Sequence, residues 1–147
     1  MKDFRYELIE KLRERQQETD PGAAVLAETE DAEIFCALSP ERMNLIEALP
    51  WKKEMRVLVL GGGKGIFVPL CERVGELRFE DDDDLEREAV RARAGKKLAE
   101  NCGNVTVSNR PGGAAPDGEP VFDAVIAAAD LRPAVIAAIE RRRLPRA

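Results

Sequence analysis

Apolar and polar positions follow two different rhythms along this chain, and the change falls near Trp51. Before it, apolar residues recur at helical spacing among charges. Phe4, Leu8, Ile9 and Leu12 mark one face of an amphipathic helix running from Lys2 to Glu18. Asp20-Pro21-Gly22 stops it, and a weaker helical or irregular segment follows through Phe35. Ser39-Pro40-Glu41 reads as a new helix start, with Ser39 as cap and Pro40 at the first helical position. That helix carries Met43, Leu45, Ile46 and Leu49 and ends at Pro50-Trp51.

After Met55 the rhythm is that of buried strands. Met55 to Leu60 is a nearly continuous apolar run ended by glycines, as expected of a strand covered on both faces of a parallel sheet. Ile66 to Val74 reads as a helix, and Glu76 to Phe79 as a second strand ended by the acids Glu80 to Asp84. Leu85 to Asn101 reads as a charged helix closed by Cys102-Gly103, and Asn104 to Ser108 as a third strand. Arg110 to Pro120, rich in proline and glycine, is a loop; Phe122 to Ala127 is a fourth strand, and Arg132 to Arg142 a last helix. This near-alternation predicts an α/β fold, a mostly parallel sheet flanked by helices, with an N-terminal helical lead. The expected division is a helical segment over 1–50 and the sheet domain over 51–147.

Composition narrows the chemistry. The 147 residues suit one domain, and 44% hydrophobic with 35% charged residues suits a globular chain. A net charge of -5 disfavours nucleic acid or anionic membrane as partner, and no apolar run approaches the roughly 20 residues needed to span a bilayer. The first residues lack an apolar core and a cleavage site, so no secretion signal is expected, and a cytoplasmic protein is. Cys36, Cys71 and Cys102 have no paired or metal-like spacing and are expected as buried free thiols, Cys71 in the core. Histidine is absent, which excludes a histidine-dependent triad and leaves Asp, Glu, Lys or Tyr6 for any proton transfer.

The candidate site is the turn Gly61-Gly62-Gly63-Lys64-Gly65. Glycines permit a sharp turn and let a ligand approach backbone N–H groups. A phosphate-cradling P-loop would need serine or threonine after the lysine, where Gly65 stands. A dinucleotide fingerprint starting at Gly61 and Gly63 meets Ile66 at its third glycine. G-x-G-x-G is satisfied by Gly61, Gly63 and Gly65. Lys64 reads equally as an anion contact or as a solvent-facing turn residue.

That turn, with Leu38 to Glu47, Leu49-Pro50-Trp51, Val57 to Leu60, Leu70 to Glu76 and the later Phe122-Asp123, resembles bacterial class I S-adenosylmethionine-dependent methyltransferases of Rossmann-like fold. The likeness covers residues 38 to 128 or so, and is nearest to a group found with glycosyltransferase-type proteins. The resemblance implies S-adenosylmethionine as cofactor, with Gly61, Gly62, Gly63 and Gly65 against its methionine and ribose part. It implies an acid at the end of the second strand that accepts from the ribose hydroxyls. Glu80 is favoured and Asp81 is the alternative, the run Asp81 to Asp84 serving otherwise as a cap on the next helix. Asn109 is the residue placed for the adenine amino group. No catalytic residue and no metal ligand is assigned.

Some positions depart from the family pattern. Val59 stands where an acid usually precedes the first glycine, Ala127-Ala128-Ala129-Asp130 replaces a substrate-facing segment, and the second half of the family's sheet is missing. The fourth strand's outer edge is then expected to be covered by a second copy or by another domain. An active methyltransferase, a silent methyltransferase-like assembly module that has lost the cofactor, and a nucleotide-binding module all remain open. Trp51 is expected to pack the helix–strand corner, and the arginines of the closing Arg141 to Ala147 to be solvated.

Overall fold

The computed structural model describes residues 3–102, 104–109 and 122–128. Asp130, the Arg110 to Pro120 loop, the Arg132 to Arg142 helix and the closing arginines lie outside the described residues, as does the Cys102 side chain.

Helices α1 (Phe4–Arg13), α2 (Pro21–Glu28) and α3 (Ala32–Leu38) each begin at an aspartate. Asp3 accepts from the Arg5 N–H, Asp20 from Ala23, and Asp31 from both Glu33 and Ile34, satisfying N–H groups that a helix start leaves bare. Helix α1 ends at Arg13 rather than running to Glu18, so Asp20-Pro21 starts a helix without closing the previous one, and the stretch after it holds two capped helices. The start of α4 (Glu41–Glu47) also differs from expectation: Pro40 is its cap position, and Ser39 ends α3. The Ser39 N–H donates to the Phe35 carbonyl at 2.9 Å, closing α3, while its hydroxyl makes a long contact of 3.5 Å with the Glu41 N–H at the start of α4.

The strands are β1 (Arg56–Leu60), β2 (Glu76–Glu80), β3 (Val105–Ser108) and β4 (Ala124–Ala127). All three pairings are parallel, in the order β3-β2-β1-β4. The architecture is the expected α/β one, a parallel sheet flanked by helices. Among the described residues β4 pairs on one side only, with β1, and Asp123 locks the start of that pairing by accepting from the Arg56 N–H and donating back to its carbonyl.

The helix expected over Ile66 to Val74 is instead two short 3₁₀ turns, Gly63–Gly65 and Val68–Glu72. Pro69 has no N–H to continue an α-helical ladder, and the bonds Leu70 to Phe67 and Arg73 to Leu70 close three-residue steps. Asn104 then takes the Cys71 and Val74 carbonyls that those turns leave open, at 3.0 Å each. Helix α5 (Asp84–Cys102) is broken at Gly95, with φ 63° and ψ 169°.

Strand alternation divides the burial. Val57, Val59, Leu77 and Phe79 face one way, into a cluster with Ile66, Val68, Leu70, Cys71, Val74 and the α5 residues Val90 and Ala94. Trp51 joins its margin and donates its ring N–H to the Ile46 carbonyl at 2.7 Å, holding the corner between α4 and β1. On the other side of α5, Ala89 and Ala92 meet Leu8, Ile9, Leu12, Val25, Ile34 and Leu38. Helix α5 is thus sandwiched between sheet and α1–α3, and its alanines let both layers approach. Each fully buried leucine in these clusters contributes about 1.5–3 kcal/mol. Cys36 corrects the sequence expectation: it is exposed, because its neighbours Ile34, Ala37 and Leu38 take the buried face of α3.

Candidate functional site

In a parallel sheet, ligands sit beyond the carboxyl ends of the strands, where the strand order reverses. Here the chain steps outward from β1 to β2 to β3 and then returns to the opposite side of β1 for β4, so the reversal lies between β1 and β4. The glycine turn leaves β1 at that point. Its φ angles are positive at Gly61 (96°), Gly63 (57°), Lys64 (55°) and Gly65 (77°). Glycine adopts this region freely, whereas Lys64 does so at a cost of about 1–2 kcal/mol that its surroundings must repay.

Among the described residues, acceptors hold every N–H group of the turn save one. Gly61 donates to the Glu80 carbonyl at 2.8 Å, and Gly62 to Asp81 Oδ2 at 2.7 Å. Lys64 donates to Glu86 Oε2 at 2.8 Å, and Gly65 to the Gly62 carbonyl at 2.9 Å. No acceptor for the Gly63 N–H is found among the described residues. Its missing side chain would point at Ala128, 3.1 Å from that methyl, on the β4 side of the turn.

Across the sheet the last rung reads Ser108, Glu80, Leu60, Ala127. Glu80 is therefore the final residue of β2 rather than the first residue after it, and at 1% exposure it is buried. It shares a face with Arg78, whose Nε lies 3.4 Å from Glu80 Oε2. Asp81 follows, half-buried, with one oxygen on Gly62 and the other on the Asp83 N–H at 2.9 Å. Burial pushes its carboxyl up, the two N–H groups pull it back down, and the charges of Glu86 and Asp82 push it up further. Asp83 caps α5 by accepting from the Leu85 N–H. The acidic run is thus partly the helix cap expected of it and partly, at Asp81, a brace for the glycine turn. Exposed Asn109 follows β3 at the same carboxyl edge. The structure brings the glycines, Glu80, Asp81 and Asn109 to that edge. Val59 is fully buried among apolar side chains, so no carboxylate precedes the turn there.

Two residues at this site carry no local sequence signal. Arg5 of α1 reaches Asp83 Oδ2 at 2.9 Å and Glu86 Oε1 at 3.1 Å while holding Asp3 at 2.7 Å. Its guanidinium draws the Asp3 carboxyl down to about 2 and lowers Asp83 as well. Glu86 receives Arg5, the Lys64 N–H and, at 3.8 Å, the Lys64 ammonium, which also lies 5.9 Å from the Phe4 ring centre. Lys64 therefore faces an anion of the protein itself. Tyr6 is exposed and lines a groove of about 830 Å³ between α1 and α5, which none of the turn residues lines.

Beneath the turn, Arg93 is buried. Its Nη1 and Nη2 lie 3.5 and 3.3 Å from the Ala37 and Leu38 carbonyls, and its Nε has no partner. Burial draws the guanidinium down to about 10, opposed by the charge of Asp20, so it is still a cation at neutral pH.

No family model and no curated protein matches this chain. Solved structures do match. Phosphoethanolamine N-methyltransferase 1 of Haemonchus contortus, solved with phosphoethanolamine and S-adenosylhomocysteine, is 17% identical at a TM-score of 0.52, over 84% of this chain and 25% of that one. A variant of MtNAS, a nicotianamine synthase, is 21% identical at a TM-score of 0.51, over 91% of this chain and 51% of that one. A dimethyladenosine transferase from Plasmodium falciparum is 26% identical at a TM-score of 0.48, over 60% of this chain and 31% of that one. The chain spans about half or less of the length of each. The first two likenesses establish the fold class, a Rossmann-like parallel sheet flanked by helices.

Proposed function

We propose that this chain is a methyltransferase-type domain that binds S-adenosylmethionine at the carboxyl edge of its sheet. The observation that carries the reading is the glycine turn at the strand-order reversal, with Gly63 lying against Ala128 beyond β4, its N–H without an acceptor among the described residues, and Glu80 ending the neighbouring strand. In this reading Gly61, Gly63 and Gly65 border the methionine and ribose part, Glu80 accepts from the ribose hydroxyls, and Asn109 meets the adenine. Gly62 and Asp81 brace the turn from its other side. Methyl transfer from a sulfonium is an in-line displacement governed by proximity and orientation, so a chain without histidine can support it. A second reading, an assembly module that has lost the cofactor, draws support from apolar Val59 and from the two turn amides already held by carboxylates.

Calorimetry of the full chain with S-adenosylmethionine and S-adenosylhomocysteine separates the two. Micromolar binding is expected, abolished by Gly63→Leu and weakened about tenfold by Glu80→Gln, with both variants melting cooperatively. Absence of heat and of any thermal shift at millimolar ligand leaves only the assembly reading.

A further inference from the structure

A glycine turn that opens after a buried parallel strand is a general cradle for anions, because its N–H groups converge where a phosphate can sit. In this chain that capacity is largely used, the Gly63 N–H excepted. The Gly62 N–H is held by Asp81 and the Lys64 N–H by Glu86, at 2.7 and 2.8 Å. Glu86 is fixed from behind by Arg5 at 3.1 Å, and its side chain is only 14% exposed. The turn also rests directly on it: a β-carbon on Gly62 would lie 2.7 Å from Glu86 Cβ. The carboxylate is a built part of the turn.

We propose that Glu86 is a specificity-determining residue, an internal carboxylate that occupies the turn's anion position and bars phosphate-bearing nucleotides from it. A phosphate approaching the Lys64 N–H has to displace Glu86 from a charge-assisted hydrogen bond, with Asp81 adding a second like charge next to it. An adenosyl sulfonium meets a smaller barrier: it carries no phosphate, and its single carboxylate is offset by its own ammonium and sulfonium charges. The proposal rests on the turn being a ligand site, and it names the class that site refuses, nucleoside phosphates, and the class it admits, phosphate-free nucleosides with an amino-acid side arm.

The test is calorimetry of the full chain with ADP and, separately, with S-adenosylhomocysteine, at low and at raised salt. The wild type is expected to give no ADP binding at millimolar concentration. Glu86→Gln leaves Arg5 and Lys64 without their shared counter-charge, and is expected to gain at least about tenfold in ADP affinity, a gain that shrinks with salt. Its gain for ADP is expected to exceed any change in its affinity for S-adenosylhomocysteine. Comparable affinity of the wild type for both ligands, or a folded Glu86→Gln with no gain, overturns the proposal. Should that variant fail to fold, titration of the wild type with ADP, followed through the Lys64 and Gly62 amide resonances, decides: unmoved resonances support exclusion and saturable shifts refute it. A wild type that ignores S-adenosylhomocysteine refutes the cofactor reading alone, because the ADP arms still decide the role of Glu86.

Discussion

The two sides of the glycine turn are built from the same residue type for opposite ends. On the side toward α5, Gly62 and Gly65 are places where no side chain fits: a β-carbon would lie 2.7 Å from Glu86 Cβ at the first and 2.9 Å from Arg93 Cβ at the second. On the side toward β4, Gly63 has only the Ala128 methyl within 3.1 Å, and its N–H has no acceptor among the described residues. One side is packed, and its Gly62 and Gly65 amides are hydrogen-bonded. The other is the side proposed for the ligand. A glycine-rich motif therefore does not present all its amides to a ligand, and among the described residues the Gly63 amide is the one left.

The largest expected effect is the contrast between the two sides under one substitution. Gly65→Ala combines a φ of +77° with contact against Arg93 Cβ and, at 3.2 Å, the Ala89 carbonyl. It is expected to cost about 3 kcal/mol. Gly63→Ala has only the left-handed conformation to sustain and a methyl that can yield slightly, and is expected to cost about 1 kcal/mol. Urea denaturation of both variants checks this. Equal costs would break the comparison.

How far the sequence foretold this site follows from the same distinction between local and distant causes. The strand Arg56–Leu60, the turn after it and the acid ending Glu76–Glu80 are local patterns, legible from apolar runs and glycine spacing. Pro69 was equally visible, and its missing N–H is why the segment after the turn is 3₁₀ rather than α-helical. The bond from Arg5 to Glu86 joins residues 81 apart, and no periodicity predicts such a pairing. Glu80 and Asp81 were hard to rank because a strand's last residue and the residue after it point to different faces, so a one-residue difference in the strand end exchanges their roles. The exposed Cys36 needed the tertiary layer of α1–α3 on α5 to be known, whereas the start of α2 at Asp20-Pro21 is a local cap signal.

Arg93 sharpens the comparison at an intermediate magnitude, because it underlies the packed side. Its stem lies under Gly65 and its guanidinium near Gly22, while its Nε has no partner. Arg93→Ala removes the stem as well as the charge and is expected to cost about 2 kcal/mol through the space it leaves. Arg93→Met keeps the stem and removes a buried cation that is poorly paired, and is expected to lie within about 1 kcal/mol of wild type or above it. If Met costs as much as Ala, the weak bonds to the Ala37 and Leu38 carbonyls matter more than packing, and the closed side is held by polarity instead.

The smallest effect concerns the ring of charges that holds Glu86 from outside, and its sign can be worked out. Asp3 and Asp83 have folded-state values below the ordinary 3.8 because Arg5 stabilises their ionised forms. The stability they bring is present above about pH 4 and fades as the pH falls toward about 2. Asp81 runs the other way: burial raises it, so the folded chain takes up its proton before the unfolded chain does, and acid relieves a cost there. The two trends partly cancel in the wild type. Arg5→Met removes the first and leaves the second, so the variant is expected to lose less stability than the wild type between about pH 4 and about pH 2. At neutral pH the Arg5–Asp83 pair itself is worth less than about 1 kcal/mol, being partly exposed and screened by salt. Denaturation midpoints across that acid range, at low and at high salt, read the difference directly. Parallel pH slopes in the two proteins would mean that Arg5 does not hold the closed side, and that Glu86 keeps its place through Lys64 and the packing of Gly62 alone.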